Sequence, residues 1–237
     1  KRIAGLFTTL LLLMTLASCD SRKTAGENPF FTEWDTPHGV PPFDKILPEH
    51  FMPAFERGMS LHEAEIDAIT SNKDEATFEN TILAYDNAGQ MLAQTELVFG
   101  MLCAAETNDR MQALQEQAMP LLAAHRDKIR LDDKLFVRVK EVYDRRAALG
   151  LDAEQMRLLQ KTYDSFVRAG ALLDAEQKAR LKEINGQLSL TAVKFGNNIL
   201  AENNNFVLEL KSDELDGLPA GIRDAAREKA QQMGKGD

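Results

Sequence analysis

Among residues whose type and spacing could do chemistry, His62-Glu63-Ala64-Glu65-Ile66 comes nearest to a metal centre. Two histidines one helical turn apart, with a glutamate after the first, can hold zinc and supply a base to its water. Here Ile66 stands where the second ligand belongs, so the stretch reads as an exposed helix face. His38, His50 and His125 are scattered and read as surface or capping residues. Acidic pairs such as Asp132-Asp133 fall at helix starts, where the backbone dipole favours negative charge, and are caps before they are acid/base pairs. No glycine-rich phosphate loop is present, and no Ser or Cys nucleophile stands in a recognisable turn. These residues assign nothing catalytic and nothing metal-binding to the chain.

The elements that would position such residues are helical. Leu151 to Asn205 is the organising stretch. Asp152 and Asp174 each precede a Gln by three positions, the pattern of a reciprocal N-cap. Tyr163, Phe166 and Val167 share the first apolar stripe, which Gly170 ends. Leu181, Ile184, Leu188, Thr191, Phe195 and Ile199 recur at steps of three and four, which predicts a long buried seam. Upstream, Pro48 opens a helix carrying Phe51, Phe55, Met59, Ile66 and Ile69 inward, and Asn72 to Ala76 breaks it. Thr77 caps a long helix running through Phe78, Ile82, Tyr85, Leu92, Phe99 and Leu102. Asn108 begins another, in which Pro120 predicts a kink or a break, and Asp132 caps the helix of Leu135, Val139 and Val142. Phe206 to Leu210 alternates like a strand, and Ile222 to Met233 is a polar helix. The fold class is all-α with one short strand near the C-terminus. A lone strand needs a partner for its backbone groups, so the polypeptide is expected to continue.

The 237 residues are 44% hydrophobic and carry a net charge of −9, an acidic balance that argues against nucleic acid or anionic lipid as a direct partner. Lys1-Arg2 followed by the apolar run Ile3 to Leu16 has the form of a signal peptide, too short to span a membrane comfortably. It ends in Leu16-Ala17-Ser18-Cys19, which resembles a bacterial lipobox with cleavage between Ser18 and Cys19 and lipidation at Cys19. The alternative is an ordinary secretory signal with a cysteine there by chance. Cys103 is then the only other thiol, set on an apolar helix as a buried inert group. The organisation expected is a lipoprotein signal over 1–18, a tether over 19–28, a helical domain over 29–205, and over 206–237 the start of a following, truncated region. Before the helices, Pro29 to Phe43 is read as an extended arm pinned by its aromatics.

Several stretches together resemble the N-terminal half of the thimet-oligopeptidase-like zinc peptidases, with the bacterial peptidyl-dipeptidase and oligopeptidase A branch nearest. They are Asn28-Pro-Phe30, Pro42-Phe-Asp-Lys-Ile46, Pro48-Glu-His-Phe51 with Pro53-Ala54, and Thr77-Phe-Glu-Asn-Thr-Ile82. Leu131-Asp-Asp-Lys-Leu-Phe136, Phe166-Val-Arg-Ala-Gly-Ala171 and Arg180-Leu-Lys-Glu-Ile-Asn185 follow in order. The resemblance implies a mostly helical half of a peptidase that admits short peptides to a channel, of which this piece forms one wall. It implies zinc in the full-length enzyme, held by residues outside this chain, with none bound by this fragment and no activity in it alone. Short peptides would be the substrates, with the membrane reached through a lipid at Cys19 and no nucleic acid involved. The location implied is the bacterial cell envelope, facing the periplasm. The rival reading is a stand-alone lipid-anchored helical module that binds a partner or scaffolds the envelope. Cys19→Ala is expected to abolish lipid labelling and to leave the precursor uncut or cut elsewhere. A mutant processed and membrane-held like wild type would refute the lipobox.

Overall fold

The computed structural model describes residues 28–235. The signal segment 1–18, Ser18, Cys19 and the tether up to residue 27 lie outside the described residues. Eight α-helices follow the arm: α1 (Phe51–Ser71), α2 (Ala84–Asp86), α3 (Gln90–Ala105), α4 (Asp109–Arg130), α5 (Asp133–Asp144), α6 (Ala153–Arg168), α7 (Ala175–Asn205) and α8 (Ala220–Gln232). The starts follow local chemistry. Asn108 accepts from the N–H groups of Arg110 and Met111, and Asp132 from that of Leu135. Asp152 and Asp174 each accept from the amide of the Gln three residues on, whose side chain accepts from the Asp amide in return. Each such cap is worth about 1 kcal/mol.

Burial divides the body into two apolar clusters that share α1. Its first half gives Phe51, Ala54 and Phe55 to a cluster with Phe99 of α3 and Leu122 of α4, closed by Phe30 and Ile46 of the arm. Its second half gives Ile66 and Ile69 to a cluster with Phe78, Ile82, Leu135, Val139, Val142, Leu159 and Phe166. The arm is held as the aromatics suggest. Phe30 lies 5.4 Å from Phe51 between ring centres, and the Trp34 indole N–H donates to the Pro29 carbonyl at 2.8 Å. Its backbone is a series of short 3₁₀ turns, at Pro29–Phe31, Pro37–Gly39 and Pro48–His50, rather than a plain extended run.

Four expectations are corrected. The long helix from Thr77 to Leu102 is broken in two. Phe78–Leu83 forms a π-helical turn that runs into α2, and a turn through Gly89 interrupts the helix before α3 continues along α1. Gly89 has φ +76°, and a Cβ there would come within 2.9 Å of the His62 ring, so both backbone and packing require glycine. Of the kink or break expected at Pro120, the break does not occur, since α4 runs from Asp109 to Arg130. The carbonyl that loses its donor belongs to exposed Glu116, where water can replace the missing bond.

The seam of α7 is the third correction. Ile184, Leu188, Phe195 and Ile199 are 43%, 61%, 65% and 46% exposed. The stripe exists, but α7 meets α4 through an adjacent face, where the Asn185 amide donates to Asp127 at 2.8 Å. Lys178 also ties its first turns to Asp133. Finally, Phe206 to Leu210 forms no strand, and no strand occurs among the described residues. Phe206 is extended (φ −67°, ψ 126°), but without a neighbouring strand there is no ladder to join. The segment instead lies beside α8, with Glu209 paired to Lys235.

The loop between α1 and the π turn is organised by Arg138 of α5. Its buried guanidinium donates to the carbonyls of Asn72 and Asp74 at 3.1 and 3.2 Å and to Asn80 Oδ1 at 3.1 Å. Arg138→Met should lower stability by about 1–3 kcal/mol, because three part-buried loop acceptors would lose their charged donor. Urea unfolding measures this, and a midpoint unchanged from wild type would show that the loop does not depend on the arginine.

Candidate functional site

The densest gathering of chemistry-bearing side chains lies where α1, α3 and α4 meet. His62 comes from the middle of α1 and His125 from α4, and His125 Nε2 stands 3.0 Å from His62 Nδ1. The rings are tilted by 60° with centres 5.1 Å apart. His125 is buried, and its Nδ1 faces Glu63 Oε1 at 3.5 Å. Glu63 Oε2 is paired with Lys128 Nζ at 2.8 Å. Behind His62, the Glu65 carboxylate accepts from the Gly89 amide at 2.7 Å and so caps the start of α3.

Burial pushes both imidazoles below the ordinary histidine value. For His62 the charge of His125 adds to the effect, and for His125 the carboxylate of Glu63 opposes it. The hydrogen bond from Lys128 holds the Glu63 carboxyl below the usual range, with His125 contributing less. Both rings are therefore neutral at pH 7.

The sequence reading placed His62 and Glu63 on an exposed face and His125 on the surface. The structure half-buries the first and buries the last. The separation of 63 residues hides the pairing, but each ring lies on its helix's apolar side. His62 precedes Ile66 and Ile69, and His125 lies between Leu122 and Ile129. That placement was the available signal. His50 does cap, its Nδ1 accepting from the Leu47 amide at 3.0 Å, and His38 lies in an exposed turn at φ 60°.

The pair does not fit a zinc site. Ile66 is directed into the core, and among the described residues no group of three or more His, Cys, Asp or Glu side chains is arranged to hold a metal. With the facing nitrogens at hydrogen-bond distance, no step of catalysis can be routed through a metal here.

A second feature is a groove of about 800 Å³ between α3, α4, α6 and α7, lined by Met119, Leu181 and Leu188 with Arg126, Arg130 and Arg168. Cys103 opens onto it and is partly exposed rather than buried. Burial of the sulfur still pushes its pKa up to about 11, which leaves a neutral, weakly nucleophilic thiol at pH 7.

Fold and site together define an all-helical segment in which a titratable cluster gathers between α1, α3 and α4. No family model matches the chain. It is 41% identical over 176 residues to the dipeptidyl carboxypeptidase of Escherichia coli (strain K12), covering 74% of this chain and 26% of that protein. It is 24% identical over 197 residues to oligopeptidase A of the same organism, covering 83% and 29%. A thimet-like oligopeptidase of Dictyostelium discoideum is 24% identical over 175 residues, 72% and 25% of the two chains. The chain is thus homologous to part of these peptidases and spans about a quarter of the length of the curated relatives it matches.

Peptide-resolved mass spectrometry should find Cys103 alkylated slowly at pH 7, with the rate rising about tenfold per pH unit towards pH 10. A rate that levels off below pH 9 would mean a thiolate stabilised by its surroundings.

Proposed function

We propose that this chain is the N-terminal part of a zinc-dependent peptidase that cleaves short peptides, as a peptidyl-dipeptidase or an oligopeptidase. In this reading residues 29–205 are a helical domain forming one wall of the substrate channel, and residues 206–237 begin the following region. The observation that carries it is the 41% identity over 176 residues to a dipeptidyl carboxypeptidase. The exposed stripe of α7 and the unpaired segment 206–210 support it, since both offer apolar surface to further protein. Zinc, when bound, would polarise the scissile carbonyl and activate water. Its ligands and base would come from other residues of the longer polypeptide, since His62 and His125 do not fit the role. The residues of this chain would exclude large substrates and bind none of the reacting atoms. A lipid on Cys19 would hold the enzyme in the bacterial cell envelope, on the periplasmic side.

The coding sequence beyond Asp237 tests the reading directly. An open frame reaching His-Glu-x-x-His is expected, and the protein it encodes should hydrolyse short peptides and lose that activity to a chelator. Residues 1–237 alone should bind no stoichiometric zinc. Termination directly after Asp237 would sink the proposal in favour of a separate helical binding module.

A further inference from the structure

We propose that His62 and His125 form a clasp between α1 and α4 that accepts one proton and opens when a second arrives. The contact of 3.0 Å joins Nδ1 of one ring to Nε2 of the other, so it holds only while one of those two nitrogens lacks a proton. With both rings neutral, one facing nitrogen donates and the other accepts. One proton can be added without breaking the contact. His125 then carries N–H on both nitrogens, donating from Nε2 to His62 and directing Nδ1 at Glu63 Oε1, 3.5 Å away. A further proton on His62 Nδ1 sets two N–H groups and two positive charges face to face. One ring must then leave.

The surroundings restrict how that can happen. From α1 the pair is faced by Glu63 and Glu65, from α3 by Glu96, and from α4 by Lys128. Glu63 is already held by Lys128 at 2.8 Å, and Glu65 by the Gly89 amide at 2.7 Å, so neither carboxylate is free to follow a displaced ring. The backbone at Gly89 lies close enough to His62 that a single added carbon would stand 2.9 Å from its Nδ1, which closes that side. His125 is enclosed on α4 by the packing that buries Leu122 and Ile129. Relief of the repulsion therefore comes from separation of α1 from α4, the two helices that bring the rings together.

The direction of the pH effect follows from linkage. Both histidines hold their protons less tightly in the folded chain than free imidazole does. Near and below pH 6.5 the unfolded chain takes up protons that the folded chain refuses. The contribution to stability is full above that range and is lost as the pH falls through it.

The test is an NMR titration of the imidazole nitrogens in the intact protein, alongside thermal unfolding between pH 7.5 and 5. Wild type should show two coupled macroscopic steps, both below about 6.5, with each ring's shift following both steps. The amides of α1 and α4 around the pair should lose exchange protection across the second step. His62→Gln should remove the second step, leave His125 with one simple titration, and reduce the acid loss of melting temperature by about 3 °C. Two independent titrations at or above the free value would overturn the proposal, as would an acid loss in His62→Gln equal to that of wild type. Should the variant fail to fold, the wild-type titration alone decides between coupled and independent rings.

Discussion

The guanidinium of Arg138 sets the condition on which the rest of the body depends. The chain must leave α1 and return through the π turn, and its loop is held to α5 through its part-buried carbonyls. Arg138 meets two of those carbonyls and the Asn80 side chain at once. Asn80 also accepts from the Thr77 amide and the Thr81 hydroxyl, and its own amide reaches the Glu75 carbonyl. Arg145, a little beyond α5, supplements this by donating to the Ala76 carbonyl and pairing with Glu75. A planar cation with several fixed donors can satisfy such a loop where a lysine, a compact point charge, could not. The Nε of Arg138 is left without a partner, a local cost accepted for the other contacts.

With that loop closed, α1 can lie between two apolar clusters. Its first two turns face aromatic rings, Phe51 standing 4.9 Å and Phe55 5.3 Å from Phe99 between centres. Its last turns join a mixed aliphatic and aromatic cluster with the π turn, α5 and α6. The histidine pair falls at the junction, where α1 passes from one cluster to the other. Hydrogen bonding there is local and saturable, unlike the hydrophobic contact on either side. Acid can therefore reach this one contact between α1 and α4 while leaving the aromatic cluster chemically unchanged.

The homology gives the exposed surfaces a context. The relatives are about three times as long as this chain, and α7 presents an apolar stripe that is largely exposed. A solvent-facing row of Ile184, Leu188, Phe195 and Ile199 resembles a core face more than a helix exterior. The arginine-lined groove, which shares Leu188 with this row, has a different character, and two of its cations sit in the last turns of α4 and α6, where they offset the helix dipoles.

Helix identity and most helix ends were legible in the sequence, because caps act over three or four residues. Asp132, Asp152, Asp174 and Asn108 each bond the amides that their spacing indicated, and Gly170 takes the left-handed conformation expected of a stop. The homology too was carried by short stretches in their order along the chain. Tertiary structure decided the rest. Periodicity placed Ile184 and Phe195 on one side of α7, but a helix's apolar side carries no record of which body covers it. Alternation marked Phe206 to Leu210, but a strand exists only through bonds to a second strand. His62 and His125 lie on the apolar faces of separate helices, and only the packing of α1 against α4 brings two nitrogens within one hydrogen bond. Local rules act through the backbone of neighbouring residues, whereas burial and pairing depend on distances between segments far apart in the chain.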